Sequence, residues 1–122
     1  MEPKKILIVE DDQFIEELYE RQLKLAGFNV EGTLSGKTGL ELIDKNSYDL
    51  LMLDLNIPDV SGYQILQHLK SNPKPGLQIL ILSNVNDQKI IDKALSEGAQ
   101  AFIVKSRFTP AQVVSQVKSL LG

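Results

Sequence analysis

Short apolar runs alternate with segments of helical spacing from one end of this chain to the other. Four runs are almost continuously apolar, at residues 6–9, 50–53, 79–82 and 101–104. Runs of that length predict strands that are buried on both faces of a sheet. A fifth segment, 28–31, alternates apolar and polar residues, which is typical of an edge strand.

The segments between these runs have the spacing and the ends of helices. The first ends at Gly27, the second covers about 36–45, and the third begins at Ser61 with a capping-box residue three positions later. The fourth ends at Gly98 and the last opens with Thr109 followed by proline. The fourth helical segment carries Ile90, Ile91, Ala94 and Leu95.

Five strands, each followed by a helix, predict a (βα)5 α/β fold with a doubly wound parallel sheet and helices on both faces. The 122 residues suit a single domain that spans 1–122. A net charge of −3 argues against direct nucleic-acid binding, and the absence of cysteine excludes thiol catalysis. Because no apolar run is long enough to span a membrane, we expect a cytoplasmic protein without membrane contact.

Polar side chains follow four of the five predicted strands. They are Glu10, Asp11 and Asp12 after the first, Asp54 after the third, Ser83 after the fourth and Lys105 after the fifth. The carboxyl ends of parallel strands meet at one edge of a sheet, where ligands bind. Each residue has an ordinary structural explanation when taken alone, and Asp12 is expected to cap the first helix.

Together these side chains indicate phosphoryl chemistry. Clustered carboxylates repel one another unless a cation neutralises them, and Mg²⁺ is held by one or two carboxylates while it keeps phosphate oxygens. A cation, a lysine and a hydroxyl match the negative charge of a phosphoryl group in transfer. No histidine or cysteine lies at this edge, so a carboxylate is the best nucleophile, and Asp54 is the most central.

The same residues resemble the CheY-like receiver domains of response regulators in two-component signalling, over the whole chain. The matching segments are 6–12, the Asp-x-x-x-Pro-x-x-x-Gly pattern at 54–62, then 82–84 and 98–105. The resemblance implies a flavodoxin-like sheet of order 2-1-3-4-5. It also implies that Asp54 accepts a phosphoryl group from the phospho-His of a sensor histidine kinase or a phosphotransfer protein.

The resemblance further assigns the metal ligands. Asp11 would bind Mg²⁺ (or Mn²⁺) directly and Glu10 would act through water, joined by Asp54 and the backbone carbonyl of Asn56. The expected activity is limited to self-phosphorylation and autodephosphorylation at Asp54, without turnover of an independent substrate.

The switch residues are assigned in the same way. Lys105 would bind the phosphate, while Ser83 and Phe102 would change the surface of the fourth helix, fifth strand and fifth helix to control an output protein or domain. One position departs from the family, in which a cis-proline usually follows the lysine. Here it is Ser106, and a cis bond before a residue other than proline is costly.

Other readings of the residues are possible. A receiver-like interaction module that is never phosphorylated would keep the fold, and Ser106 is the one feature in its favour. A haloacid-dehalogenase phosphatase would need a second aspartate where Asn56 stands. The segment 32–38 resembles a nucleotide-binding P-loop but has three residues between its glycines instead of four, so we interpret it as a coincidence.

Overall fold

The computed structural model describes residues 2–122, in which five parallel strands form one sheet of order β2-β1-β3-β4-β5. The strands are β1 (Lys5–Val9), β2 (Asn29–Thr33), β3 (Leu50–Leu53), β4 (Gln78–Ser83) and β5 (Ala101–Val104). The helices are α1 (Gln13–Leu25), α2 (Gly36–Lys45), α3 (Gly62–Ser71), α4 (Gln88–Ser96) and α5 (Pro110–Leu121), with a short 3₁₀ helix at Lys105–Arg107. The predicted fold class and strand order are confirmed.

Two hydrophobic layers enclose the sheet, because successive residues of a strand point to opposite faces. In β1, Leu7 and Val9 pack with α2, α3 and α4, whereas Ile6 and Ile8 pack with α1 and α5. All four side chains are at most 1% exposed. This burial on both faces explains why the strands are continuously apolar instead of alternating.

Local signals set the ends of the helices. Asp12 accepts a hydrogen bond from the backbone N–H of Ile15 and caps α1, as predicted. Ser61 and Thr109 each form the predicted capping box, at α3 and α5. None of the helices within residues 2–122 has the length and apolar character needed to cross a bilayer.

One local prediction was wrong. Strand β2 runs on to Thr33 instead of ending at residue 31, because Gly32 and Thr33 pair with Ile8 and Val9 of β1. The apolar residues of α4 are not all buried, and Leu95 is 40% exposed. Only Ala94 of α4 is fully buried, and the next residue of a helix points about 100° away from it.

One carboxyl group is buried in the contact between α1 and β2. Glu16 is 7% exposed, its Oε2 has no hydrogen-bond partner, and it lies against the backbone of Gly32, where a Cβ atom would overlap it. Burial, together with the hydrogen bond and the charge of Glu20, raises the pKa of Glu16 from 4.5 to about 7. The hydrogen bond from Glu16 in turn lowers the pKa of Glu20.

Replacing Glu16 with glutamine should stabilise the protein at alkaline pH. A raised folded-state pKa means that wild-type stability falls as the pH rises from 4.5 through about 7. Each pKa unit corresponds to about 1.4 kcal/mol of stability. Solvent screening at the helix surface reduces the stability that Glu16→Gln should gain to about 2 kcal/mol. Urea unfolding should show this gain for Glu16→Gln at pH 8.5 and none at pH 4.5.

Glu41→Gln, which removes one exposed carboxylate from α2 that does not contribute to the raised pKa of Glu16, is the control for loss of a charge, and it should change little at either pH. A Glu16→Gln gain of equal size at both pH values would show that proton binding at Glu16 is not its cause.

Candidate functional site

The register of the central strands brings two acidic segments together. Strands β1 and β3 are neighbours in the sheet, with Val9 opposite Leu53, so Glu10 and Asp54 are the next residues on each strand. The backbone N–H of Asp54 donates to the carbonyl of Val9 at 3.0 Å, which extends the pairing to that point. The connections from β1 and β3 lead to opposite sides of the sheet here, as at ligand sites of open α/β folds.

Three carboxyl groups converge at this edge. Glu10, Asp11 and Asp54 each offer an oxygen, and these oxygens lie within 4.8 Å of one another. Glu10 and Asp54 are buried at 3% and 6% exposure, whereas Asp11 is exposed. A half-open set of carboxylate oxygens fits Mg²⁺ or Mn²⁺, which are hard cations that prefer oxygen ligands and keep part of their water.

Lys105 provides the positive charge of the site. Its Nζ lies 2.6 Å from Glu10 Oε2 and 3.3 Å from Asp54 Oδ2, and its side chain is only 10% exposed. It directly follows β5, whose Val104 is opposite Ser83 of β4. Every peptide bond within residues 2–122 is trans, including the bond between Lys105 and Ser106. The ammonium of Lys105 reaches both carboxylates with this backbone.

The electrostatics of the site follow from burial and this bridge. Burial raises the pKa of the Glu10 carboxyl, and the hydrogen bond and charge of Lys105 only partly oppose that effect. Burial alone would lower the pKa of Lys105, but the hydrogen bond and charge of Glu10, together with Asp54, outweigh it and raise the pKa. Lys105 is therefore a protonated ammonium at neutral pH, held between the two buried carboxyl groups.

The remaining predicted site residues are Asn56, Ser83 and Phe102. The backbone N–H of Asn56 donates to Asp54 Oδ1 at 3.1 Å. Ser83 is fully buried at the end of β4, and its Oγ accepts a hydrogen bond from the Val85 N–H at 3.2 Å. Phe102 is half-buried on β5 and packs against the hydrophobic layer on the α2–α4 side. The hydrogen bonds of the described residues do not join Ser83 or Phe102 to the carboxylates.

Apolar side chains anchor the loop from Asp54 to Gly62 in the hydrophobic core. Leu55 and Ile57 are 1% and 3% exposed, whereas Asn56 between them is exposed. The backbone N–H of Gly62 donates to the carbonyl of Leu55 at 3.0 Å, and a Cβ atom at Gly62 would lie 2.4 Å from the carbonyl oxygen of Asp54. Only glycine allows this approach, which explains the glycine eight residues after Asp54.

The segment that resembles a P-loop serves another purpose. Gly32 and Thr33 end β2, and Ser35 caps α2 by accepting a hydrogen bond from Thr38 N–H at 3.2 Å. The start of α2 binds an anion that the chain itself supplies, the carboxylate of Asp59.

The sequence analysis did not single out Asp59. The available signals were a helix whose first turn has no acidic residue and a Pro-Asp pair just after Asp54.

Comparison with known proteins gives a consistent result. The family model of the response regulator receiver domain matches residues 6–118. The probable transcriptional regulatory protein SilR of Salmonella typhimurium is 38% identical over 117 residues, which cover 96% of this chain and 50% of SilR. The cell cycle response regulator CtrA of Brucella ovis is 33% identical with the same coverage, so the chain spans about half the length of these relatives.

Solved structures share the fold. The BeF₃-activated receiver domain of DrrB, a Thermotoga maritima OmpR/PhoB homologue, superposes with a TM-score of 0.86 at 28% identity. The match covers 98% of this chain and 97% of that domain.

Proposed function

Because this chain belongs to the response regulator receiver domain family, we propose that it accepts a phosphoryl group on Asp54 in a reaction that requires a divalent cation. The observation that carries the proposal is the position of Lys105, whose ammonium lies between the Glu10 and Asp54 carboxylates at the junction of β1 and β3. A lysine beside a nucleophilic carboxylate can bind the oxygens of an incoming phosphoryl group and stabilise their negative charge.

The transfer step uses one oxygen of Asp54. A carboxylate oxygen attacks phosphorus, the bond between phosphorus and the donor imidazole nitrogen breaks with its electron pair on nitrogen, and an acyl phosphate forms. Asp54 Oδ1 accepts from the N–H of Asn56, while Oδ2 accepts from the ammonium of Lys105 at 3.3 Å. Oδ2 is therefore the oxygen that can attack once Lys105 moves away.

The divalent cation has a defined place in this proposal. Glu10, Asp11, Asp54 and the backbone carbonyl of Asn56 would hold it, and Mg²⁺ or Mn²⁺ would supply positive charge to the phosphoryl oxygens. With the cation bound, Glu10 would release Lys105, and the ammonium would then bind another phosphoryl oxygen. The raised pKa of Lys105 keeps it protonated for that role.

The response to phosphorylation involves residues further from Asp54. The Oγ of Ser83 accepts from Val85 N–H, so its own proton remains for a phosphoryl oxygen. Movement of Ser83 would open space towards Phe102 on the neighbouring strand and change the surface of α4, β5 and α5. A histidine kinase or phosphotransfer protein would act as donor, and an output protein or domain would read that surface.

Intact mass spectrometry of the wild-type protein tests the proposal. After incubation with acetyl phosphate and Mg²⁺, we expect one added phosphoryl group, and none when EDTA replaces Mg²⁺. BeF₃⁻, which activates the DrrB receiver domain, should bind in the presence of Mg²⁺. Folded protein that gains no phosphoryl group under any condition would support the interaction module that is never phosphorylated.

A further inference from the structure

Asp59 links the phosphoacceptor loop to a second helix. It lies five residues after Asp54, and its carboxylate reaches the start of α2, which is 22 to 24 residues away in the chain. Asp59 Oδ2 accepts from Ser35 Oγ at 2.6 Å and from Lys37 N–H at 3.1 Å, and Oδ1 accepts from Gly36 N–H at 3.0 Å.

These bonds complete the N-terminus of α2. The first backbone N–H groups of a helix have no partner within the helix, and negative charge is favoured there. The first turn of α2 has no acidic residue of its own, and Ser35 satisfies only Thr38 N–H. Asp59 satisfies the other two, at Gly36 and Lys37. The hydrogen bond from Ser35 Oγ, together with those from the N–H groups of Lys37 and Gly36, holds the pKa of Asp59 well below its usual range.

The contact requires close packing of the two segments. A Cβ atom at Gly36 would lie 2.1 Å from the carbonyl oxygen of Val60, the residue after Asp59. Glycine at this position therefore lets the loop approach α2 closely enough for three hydrogen bonds. The loop is thus fixed at its outer end by Asp59 and closed at its base by the Gly62–Leu55 bond.

We infer that Asp59 is a positioning residue. Through its bonds to the start of α2 it holds the Asn56 backbone where its N–H binds Asp54 and where its carbonyl would be available to a divalent cation. Asn56 is exposed, and its neighbours Leu55 and Ile57 anchor the loop only on the core side. The Asp59 bonds restrain the opposite side. This inference rests on the proposed function of Asp54.

The isosteric variant Asp59→Asn tests the role of Asp59. It should raise the Mg²⁺ concentration for half-maximal phosphorylation by acetyl phosphate about tenfold, as for other residues that orient metal ligands. The rate at saturating Mg²⁺ should stay within about twofold of wild type, because Asp54 and Lys105 are unchanged. Glu41→Gln, which removes an exposed charge from α2 itself, is the matched control and should shift neither quantity.

Amide hydrogen exchange of the metal-free protein gives a second readout that needs no activity. In Asp59→Asn we expect faster exchange at Asn56 as well as at Gly36 and Lys37. Faster exchange confined to Gly36 and Lys37, with an unchanged Mg²⁺ midpoint, would overturn the inference and leave Asp59 as a helix cap only. Ser35→Ala, which removes the 2.6 Å bond and keeps the carboxylate, should move both readouts in the same direction if Asp59→Asn fails to fold.

The proposed function and this inference fail in different ways. Wild-type protein that shows no phosphorylation with Mg²⁺ would count against Asp54 as phosphoacceptor. If the wild type is phosphorylated and Asp59→Asn has the same Mg²⁺ midpoint, the positioning role of Asp59 is wrong and the role of Asp54 stands.

Discussion

Asp54→Asn should yield a folded protein that gains no phosphoryl group from acetyl phosphate at any Mg²⁺ concentration. An amide oxygen has neither the negative charge nor the nucleophilicity of a carboxylate, so the acyl phosphate cannot form. The fold should survive, because asparagine still accepts a hydrogen bond from Asn56 N–H and Lys105 still pairs with Glu10. We expect the free energy of unfolding to change by at most about 1.5 kcal/mol.

Asp12→Asn is a matched control for this variant. It makes the same chemical change two residues after Glu10, and asparagine caps a helix about as well as aspartate. Intact mass spectrometry should show normal phosphorylation of Asp12→Asn. A Mg²⁺-dependent adduct on Asp54→Asn, mapped by peptide analysis to another carboxylate, would mean that the nucleophile is wrongly assigned.

Lys105→Met should have two large effects, one on stability and one on phosphorylation. Without the ammonium, the buried Glu10 and Asp54 carboxylates face each other without a counter-charge, which costs about 3 kcal/mol when one partner of a buried pair is removed. Loss of the charge that stabilises the phosphoryl oxygens should slow phosphorylation about 100-fold. Methionine keeps the length and apolar part of the side chain, so packing changes little.

The stability loss of Lys105→Met should depend on pH. Lys105 lowers the pKa of Glu10, and burial raises it, so the pKa of Glu10 rises further in the variant. A raised carboxyl pKa means that stability is present at low pH and is lost as the pH rises through the unfolded and then the folded pKa. Urea unfolding in EDTA should therefore show a much smaller difference from wild type at pH 4 than at pH 8.

Mg²⁺ and a second lysine variant complete the test of Lys105. Because a divalent cation can replace the missing ammonium, Mg²⁺ at pH 8 should stabilise Lys105→Met more than it stabilises the wild type. Lys118→Met removes an exposed lysine from α5 and should change stability by no more than about 0.5 kcal/mol. Equal losses for Lys105→Met at pH 4 and pH 8 would contradict the electrostatic explanation.

The wild-type ion pairs of Lys105 illustrate what the sequence could predict about the site. Glu10, Asp11, Asp54 and Lys105 were placed at one edge because each follows a strand, and the parallel sheet brings those positions together. The contact of Lys105 with both Glu10 and Asp54, 95 and 51 residues away in the chain, depends on side-chain directions that strand order alone does not specify.

Ser106 marks a limit of what the family resemblance could predict. The family usually has a cis-proline after the lysine, so the resemblance left the backbone geometry at Lys105 open. In the structure Lys105 begins a short 3₁₀ helix with trans peptide bonds, and its ammonium still reaches the acidic pair. Lysine has four flexible side-chain bonds, so its charged end tolerates a different backbone path.

Asp59 and Glu16 could not be found from the sequence by the same reasoning. Both are acidic residues with ordinary neighbours, and an exposed carboxylate without a specific partner is the usual expectation for either. Asp59 acts because Gly36 lets α2 approach the phosphoacceptor loop. Glu16 has a raised pKa because the bare backbone of Gly32 leaves space for it under α1.

Element types, most helix ends and the edge that carries the acidic cluster follow from residues close together in the chain. Apolar runs such as Leu50–Leu53 and caps such as Asp12 act over a few positions, so their meaning can be read locally. The Lys105 bridge, the Asp59 bonds and the buried Glu16 exist only after distant segments pack. Their energies depend on desolvation and on distances of a few ångströms, which only the folded chain sets.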